Sequence, residues 1–398
     1  MERPGRSDLA KHWTLDPNIT FLNHGSFGAC PIAVIEEQRQ WQDLLEKDPV
    51  AFFEDTTPEI SSKVRDELGL FLNCAGDDLA LVTNATTGVN TILRSLVFNS
   101  GDEILVPDHA YQACRNAIDF VARRWGVKVV TCQIPFPIDS NQQIIDIVID
   151  GVTKNTKLAL IDTVTSPTGL RMPFEQLVAE LEGKGIPVLL DAAHGPGMTP
   201  LDLNKSGASY VTGNCHKWLC SPKGSAFLFV RKDLQHQIHP LTISHGANFP
   251  LDGISRFRHE FDWVGTSDIS AWLSVPKAIT EMQKIAQCDW QEIIHKNRSL
   301  CIKGRNIICE TLGLEAPCPD EMIASISTLK ITDSALNAFL RPAHQPDPLH
   351  EVLLEKYGIQ VPVWSWPSPE GRYLRISAQL YNHIDEYHYL AECLAKEL

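Results

Sequence analysis

The sequence has no apolar run that approaches the roughly 20 residues of a membrane-spanning helix. Positive charge is also scarce, because 35 Lys and Arg stand against 49 Asp and Glu, giving a net charge of −14. A surface field of this sign repels phosphate backbones. The sequence therefore predicts a protein that neither crosses a membrane nor binds nucleic acid.

Several common cofactor and metal motifs are missing as well. The chain contains no G-x-G-x-x-G, no Gly-rich loop ending in Gly-Lys-Ser/Thr and no H-E-x-x-H. Dehydrogenase, P-loop and metalloprotease functions therefore lose their main support. The eleven cysteines include no C-x-x-C pair and no Cys/His set with zinc-finger spacing, so no metal site is predicted. Reduced thiols and a charged N-terminus without an apolar centre predict a cytoplasmic protein.

The composition that remains is that of a globular protein, with 43% apolar and 21% charged residues over 398 positions. Between residues 79 and 230 short apolar segments alternate with amphipathic ones, a pattern typical of an α/β fold with a mostly parallel sheet. Seven strands are predicted, at 79–83, 103–106, 127–133, 157–161, 187–190, 209–212 and 226–230. Helices with an apolar face are predicted at 87–97, 111–125 and 174–184.

The alternation of strands and helices ends after residue 263. A long helical stretch is predicted over 274–312, followed by a mixed segment with Pro-rich turns near 342–348 and 362–369. We therefore predict an N-terminal arm at 1–20, a large domain at 21–273 and a smaller α+β C-terminal domain at 274–398. Ligands of such sheets bind beyond the carboxyl ends of the strands.

Two charged residues follow predicted strands of this sheet. Asp191 comes directly after an apolar strand, and Lys217 follows the next strand. Burial of the carboxylate costs free energy unless a cation meets it. Burial of the amine lowers its pKa, which suits a lysine that forms a Schiff base. The pair suits pyridoxal phosphate, whose aldehyde would react with the lysine while the acid keeps the ring nitrogen protonated.

Two further elements are required for this cofactor and its substrate. Residues 82–88 lead from a strand into a helix, whose first N–H groups favour an anion such as phosphate. Thr86 and Thr87 add hydroxyl donors there. Arg375 lies within the apolar strand 373–377, where its guanidinium can bind a substrate carboxylate through two hydrogen bonds.

Each of these residues also has a structural alternative. Lys217 could be a surface or interdomain residue, Asp191 a helix N-cap, and Arg375 a partner in a structural ion pair. Thr86 and Thr87 could be an ordinary helix start. The ordered set of all four features in one α/β chain favours the cofactor site over these separate explanations.

Together these segments give the chain a resemblance to a known family. It resembles the class V aminotransferase family of fold-type I pyridoxal-phosphate enzymes, and within it the isopenicillin-N epimerase-like branch. The resemblance covers nearly the whole chain and rests on residues 21–28, 84–88, 166–169, 191–194, 216–218, 263–268 and 375–377.

The resemblance implies roles for the residues around the ring and the substrate. Lys217 corresponds to the Schiff-base lysine, Asp191 to the partner of the ring nitrogen, and His194 and Ser166 to neighbours of the ring hydroxyl. Arg375 corresponds to the arginine that binds the α-carboxylate. Lys217, once released, would be the proton-transfer base.

The resemblance also implies a phosphate site and a homodimer. Ala85, Thr86, Asn214 and His216 match phosphate-binding positions. Thr266 matches a residue that reaches across from a neighbouring subunit, which would make the active site shared between two subunits.

Predictions for the ring face and the substrate side leave alternatives open. Tyr111 is predicted to stack on the cofactor ring, with His109 as its rival, and Asn23 and His24 are predicted to line the substrate side. Core packing stays an equal alternative for Tyr111 and His24.

The implied activity is chemistry at Cα of an amino acid, with an epimerase favoured and a carbon–sulfur lyase or cysteine desulfurase-like enzyme as the alternative. Transamination is a further fate of the same carbanion. Cysteine desulfurases of this family carry a nucleophilic Cys shortly before the arginine, but residues 358–374 contain none and hold Trp364 and Trp366 instead. This favours a bulky or apolar substrate side chain over persulfide chemistry. A hypothesis from another class is a catalytically silent dimeric binding protein.

Overall fold

A seven-stranded, mostly parallel sheet lies at the centre of the chain. The computed structural model describes residues 3–333, 347–366 and 371–398. The strands within these residues are β1 (Thr20–Phe21), β2 (Leu79–Val82), β3 (Glu103–Pro107), β4 (Lys128–Cys132), β5 (Thr156–Asp162), β6 (Val188–Ala192), β7 (Tyr210–Asn214), β8 (Ala226–Val230), β9 (Ile326–Asp333), β10 (Ile359–Gln360), β11 (Val363–Ser365) and β12 (Gly371–Ser377).

The large sheet has the strand order β2-β8-β7-β6-β5-β3-β4. Strand β8 is antiparallel to both neighbours, and the remaining pairs are parallel. The predicted α/β class and all seven predicted strands are confirmed, with bounds that differ by at most two residues. The prediction succeeded because the inner strands of such a sheet are covered on both faces and consist of nearly continuous apolar runs.

Helices cover both faces of this sheet and build the rest of the chain. They are α1 (His24–Phe27), α2 (Ile32–Lys47), α3 (Pro49–Ala51), α4 (Thr57–Leu72), α5 (Ala85–Ser95), α6 (Gln112–Trp125), α7 (Asn141–Asp150), α8 (Phe174–Gly183), α9 (Leu203–Ser206), α10 (Arg256–Asp262), α11 (Ser270–Leu273), α12 (Val275–Ala286), α13 (Trp290–Leu312), α14 (Pro348–Tyr357) and α15 (Ile384–Glu397). The three helices predicted between the strands correspond to α5, α6 and α8. Of the helices in the described residues, none combines the length and the apolar character of a membrane span.

The helical stretch predicted over 274–312 is divided into two helices. Helix α12 ends at Gln287, whose backbone is left-handed with φ of 52°. Asp289 then caps α13 by accepting the backbone N–H of Glu292 at 2.9 Å. The prediction of one continuous stretch is wrong here, because a left-handed residue followed by an N-cap ends one helix and starts the next.

A smaller C-terminal domain follows the large sheet. Strands β11, β12 and β9 form an antiparallel sheet in that order, and α13 and α15 pack on each other and on this domain. Strand β1 pairs in parallel with β10, so the N-terminal segment contacts the C-terminal region. Most of the predicted Pro-rich turns lie outside the described residues. The bounds 1–20, 21–273 and 274–398 stay predictions.

The strand directions bring the predicted site residues to one edge of the sheet. Asp162, Asp191 and Asn214 lie at the carboxyl ends of the parallel strands β5, β6 and β7. Strand β2 runs in the same direction, because it is antiparallel to β8, which is itself antiparallel to β7. Helix α5 therefore begins at the same edge.

Two glycines allow close approaches at this edge. A Cβ atom added to Gly88 in α5 would lie 2.1 Å from Thr212 Oγ1 on β7. A Cβ added to Gly28, which has φ of 73°, would lie 2.2 Å from the carbonyl oxygen of His216. Side chains at either position would push apart segments that carry site residues.

We expect Gly88→Ala to lower the free energy of unfolding by about 1 to 3 kcal/mol, because the methyl group overpacks the contact between α5 and β7. Urea denaturation measures this change. Gly183→Ala is the matched control, since a Cβ there meets nothing within 4 Å, and it should leave stability equal or slightly higher. Equal stability of the two variants would contradict the close contact.

Candidate active site

Lys217 lies in the turn after β7, with its side chain directed into the protein. Its Nζ is 3.3 Å from His194 Nε2. Its backbone carbonyl is 3.0 Å from Nε2 of the buried His24, whose Nδ1 is 2.8 Å from the hydroxyl of Tyr381. Burial, and then the positive charge of Arg375, lower the pKa of Lys217 to about 8, whereas Asp191 opposes the shift. A fraction of this amine is therefore uncharged near neutral pH, as Schiff-base formation requires.

Asp191 lies close enough to Lys217 for their charges to interact. Its Oδ1 accepts the N–H of Ala193 at 2.9 Å, and its Oδ2 accepts the S–H of Cys114 at 3.2 Å. Burial raises the pKa of Asp191, while these two hydrogen bonds and the charge of Lys217 lower it. Asp191 and Lys217 thus shift each other's pKa, so the two side chains lie within electrostatic range of each other.

Asp162 is a second buried acid that the sequence analysis missed. It pairs in register with Asp191 on the neighbouring strand and is only 3% exposed. Its Oδ2 has no hydrogen-bond partner among the described residues. Burial, and then the charge of Asp191, raise the pKa of Asp162 well above its ordinary value. The sequence feature that could have identified Asp162 is that an Asp directly follows the apolar residues of both strands.

The start of α5 leaves hydrogen-bond donors for an anion. Asn84 caps the helix by accepting the N–H of Thr87 at 2.8 Å, and Asn214 Oδ1 accepts the N–H of Ala85 at 2.8 Å. The N–H of Thr86, between them, finds no acceptor in the part of the chain that the structure describes. An N–H group of the first helical turn, at the positive end of the helix dipole, fits a phosphate.

His216 follows Asn214 by two residues, and Asn214 contacts the helix start at Ala85. Its Nδ1–H donates to the carbonyl of Ser225 at 3.1 Å. Burial lowers the pKa of His216 to about 4. Its Nε2 has no hydrogen-bond partner within the described residues and remains available to a ligand.

Arg375 is buried in the middle of β12 with 6% of its surface exposed. One terminal nitrogen donates to the carbonyl oxygen of Ser166 at 2.6 Å, and the other donates to Ser26 Oγ at 3.0 Å. The ring of Trp364 lies 5.5 Å from its Cζ. Burial lowers the pKa of Arg375 to about 10, so it stays positive at neutral pH. It forms no ion pair with any described residue, which leaves its charge for an anionic ligand.

Asn23, Tyr111 and His109 are the candidates for the substrate side and for stacking on the ring. Asn23 Oδ1 accepts the hydroxyl of Ser26 at 2.6 Å, which connects it to Arg375. Tyr111 is 46% exposed and directly precedes α6. His109 is fully buried, accepts the hydroxyl of Thr168 at Nδ1 and donates from Nε2 to the Ile134 carbonyl.

Thr266 is not brought to these residues. It is exposed in the loop between α10 and α11 and makes no hydrogen bond with the described part of the chain. Its contribution from a neighbouring subunit stays a prediction. The roles of the other candidates also stay predictions, although the structure places them at one sheet edge and its adjoining loops.

Comparison with known proteins decides the family. The model of class V aminotransferases matches residues 47–342. The chain belongs to the class V aminotransferase family. A probable chloroplastic L-cysteine desulfhydrase of Arabidopsis thaliana is 31% identical over 98% of this chain and 84% of its own. An isopenicillin N epimerase of Amycolatopsis lactamdurans is 31% identical over 97% and 96%.

Solved structures show the same fold. The cystine C–S lyase C-DES, in complex with its product cysteine persulfide, has a TM-score of 0.77 at 20% identity and covers 95% of this chain and 98% of its own. A mutant of C-DES with glycine covalently linked to its PLP cofactor has a TM-score of 0.79 at 18% identity and covers 99% of both chains. This class V enzyme is therefore PLP-dependent, as predicted, whereas its relatives differ in reaction type.

The pH dependence of stability tests the buried acid Asp162. A raised pKa in the folded state means that stability contributed by the protonated form is lost as pH rises above the unfolded pKa, and each pKa unit corresponds to about 1.4 kcal/mol. We expect Asp162→Asn to make the cofactor-free protein more stable than wild type at neutral pH, with the gain vanishing in mild acid. Urea denaturation across pH measures it. The exposed control Asp150→Asn should show no such pH-dependent gain.

The charge of Arg375, which has no ion-pair partner among the described residues, predicts how a substitution changes substrate affinity. Arg375→Lys keeps the charge but loses the two-pronged geometry, so affinity for L-amino acids should fall roughly tenfold to a hundredfold. Titration of the cofactor absorbance measures this affinity. Cysteamine, which lacks the carboxylate, should bind both proteins alike. Arg372→Lys is the matched control on β12, because Arg372 already pairs with Asp347 at 3.0 Å.

Proposed function

We propose that this enzyme removes the Cα proton of an α-amino acid with Lys217 and completes a β-elimination that releases sulfur from a cysteine-like substrate. PLP, when bound, supplies the electron sink for the charge that develops at Cα. The observation that carries the proposal is the amine of Lys217, which is directed into the protein beside His194, whereas the buried imidazoles of His24 and His109 have both nitrogens occupied. His24 and His109 each make two hydrogen bonds with protein groups.

The chain's own residues divide the remaining tasks. Arg375 would bind the α-carboxylate, and Asp191 would be the acidic partner of the ring nitrogen. The start of α5, with Thr86 and Thr87, would hold the phosphate together with His216. Lys217 takes the proton from Cα, and the Cβ–S bond then breaks with its electron pair leaving on sulfur.

Elimination needs one base, whereas a two-base epimerisation needs an acid on the other side of the substrate. His109, the rival of Tyr111 for stacking on the cofactor ring, is a poor choice for that acid, because burial lowers its pKa and Thr168 and Ile134 occupy its two nitrogens. No Cys stands within residues 358–374 to take the sulfur. These observations support release of free sulfide. Names of relatives on the desulfhydrase side agree with this.

Epimerisation is the second candidate, and Tyr111 is the observation that favours it. Its side chain is half-exposed at the start of α6, and its hydroxyl would protonate Cα from a second direction. The Trp364 ring against Arg375 would suit a bulky side chain. We further propose a homodimer in which Thr266 completes the neighbouring site, and a cytoplasmic location.

The reaction is tested by incubating the loaded enzyme with L-cysteine and other L-amino acids in deuterated water. We expect pyruvate and sulfide from L-cysteine with wild type, and neither product with Lys217→Ala, because the base and the covalent anchor are lost. Lys223→Ala is the matched control, an exposed lysine on the same loop. It should retain the activity.

Two outcomes would contradict elimination. Deuterium at Cα with loss of chirality, suppressed in Tyr111→Phe, would identify an epimerase. Protein that binds PLP without any change in an amino acid would favour the silent binding protein.

A further inference from the structure

The imidazole of His194 connects Lys217 to a buried tryptophan. Trp218 Nε1 is 3.1 Å from His194 Nδ1, and Lys217 Nζ is 3.3 Å from His194 Nε2. Trp218 is fully buried and His194 almost so. The three side chains therefore form a short chain of hydrogen bonds shielded from water.

The indole of Trp218 fixes the protonation state of His194. An indole N–H only donates, so Nδ1 must present its lone pair. The imidazolium and the tautomer with a proton on Nδ1 would both place two N–H groups against each other at 3.1 Å. Burial also lowers the pKa of His194 well below its ordinary value. Among the three protonation states, only the neutral tautomer with its proton on Nε2 satisfies the contact.

This tautomer has a consequence for Lys217. The Nε2–H of His194 is a donor aimed at Nζ, and the partner must supply a lone pair. An ammonium group has three donors and no lone pair, whereas the free amine has one. The contact of 3.3 Å is a hydrogen bond only when Lys217 is uncharged.

We propose that Trp218 is a positioning residue, which holds His194 as an Nε2–H donor and thereby keeps Lys217 as the free amine that captures the cofactor. In that capture the amine nitrogen bonds to the aldehyde carbon, and the aldehyde oxygen leaves as one water. The proposal rests on the PLP dependence of the enzyme and not on β-elimination, so the two can fail separately.

Other charges around Lys217 act in both directions. Arg375 opposes the ammonium form, whereas Asp191 and an ionised Cys114 would favour it. His24 and His216 also lie within electrostatic range, since Lys217 lowers the pKa of both. The donor on His194 acts alongside Arg375 and offsets the attraction of Asp191 for a proton on the amine.

The tautomer can be tested on the wild-type chain. We expect ¹⁵N NMR of the cofactor-free enzyme, labelled at histidine, to show His194 with a bare Nδ1 and a protonated Nε2. The signal is assigned by its loss in His194→Gln. A proton on Nδ1, or an imidazolium at neutral pH, would overturn the proposal, and the tautomer itself is read from the wild-type chain.

The effect on the amine is tested with Trp218→Phe, which keeps an aromatic ring and removes the N–H. The measurement is the rate of covalent PLP capture against pH, followed by absorbance. Wild type should reach half its maximum rate near pH 8, the pKa of Lys217. The variant should shift to higher pH and capture the cofactor about fivefold more slowly at neutral pH, the effect of one neutral hydrogen bond.

The shape of the profile separates this role from packing. Trp290→Phe is the control, because Trp290 is also buried and donates its N–H to the Ile279 carbonyl, away from the site. Equal slowing of Trp218→Phe at every pH, or a midpoint that matches the control, would overturn the proposal. A shifted midpoint with the same maximum rate at high pH supports it.

Discussion

The removal of one lysine amine from water is the constraint on which the rest of this site depends. An ammonium group in the interior is costly unless a partner stabilises it. Some of the groups around Lys217 disfavour its charged form. His194 presents a donor to Nζ, and Arg375 adds a like charge. The backbone is fixed by the contact of His24 with the Lys217 carbonyl and by the close approach of Gly28. A rigid frame thus maintains an amine that is reactive near neutral pH.

The site also holds polar and charged groups that find no partner among the described residues. Arg375 has no carboxylate, the N–H of Thr86 has no acceptor, and Nε2 of His216 has no partner among the described residues. Burial makes each of these unpaired groups costly. A substrate carboxylate would supply the missing anion for Arg375 and a cofactor phosphate the missing acceptor for Thr86, so ligand binding would complete the local electrostatics. The acids Asp162 and Asp191 lie at the same edge of the large sheet, where burial raises the pKa of both.

The sequence was sufficient where short-range pattern determines structure. Buried strands produce apolar runs, and the polar residues that end them, such as Asp191, stand out against that background. It was insufficient where residues meet only through strand order or tertiary contact. Asp162 joins Asp191 because β5 and β6 are neighbours in the sheet, and Trp218 reaches His194 across a loop. Helix α12 ends at Gln287 through a left-handed backbone that composition does not signal. Thr266 lies outside the single chain's site altogether.

The relatives include both desulfhydrases and epimerases, and the residues of this site suggest a physical reason for the difference. Fold and cofactor are common to both, so neither determines the reaction. What can differ is whether a second acid reaches Cα while Lys217 acts from the other direction. Thr168 and Ile134 hold His109 in a neutral, fully hydrogen-bonded state, which removes the imidazole from that task. Under the proposed function, Tyr111, exposed at the start of α6, is the side chain assigned to that second acid.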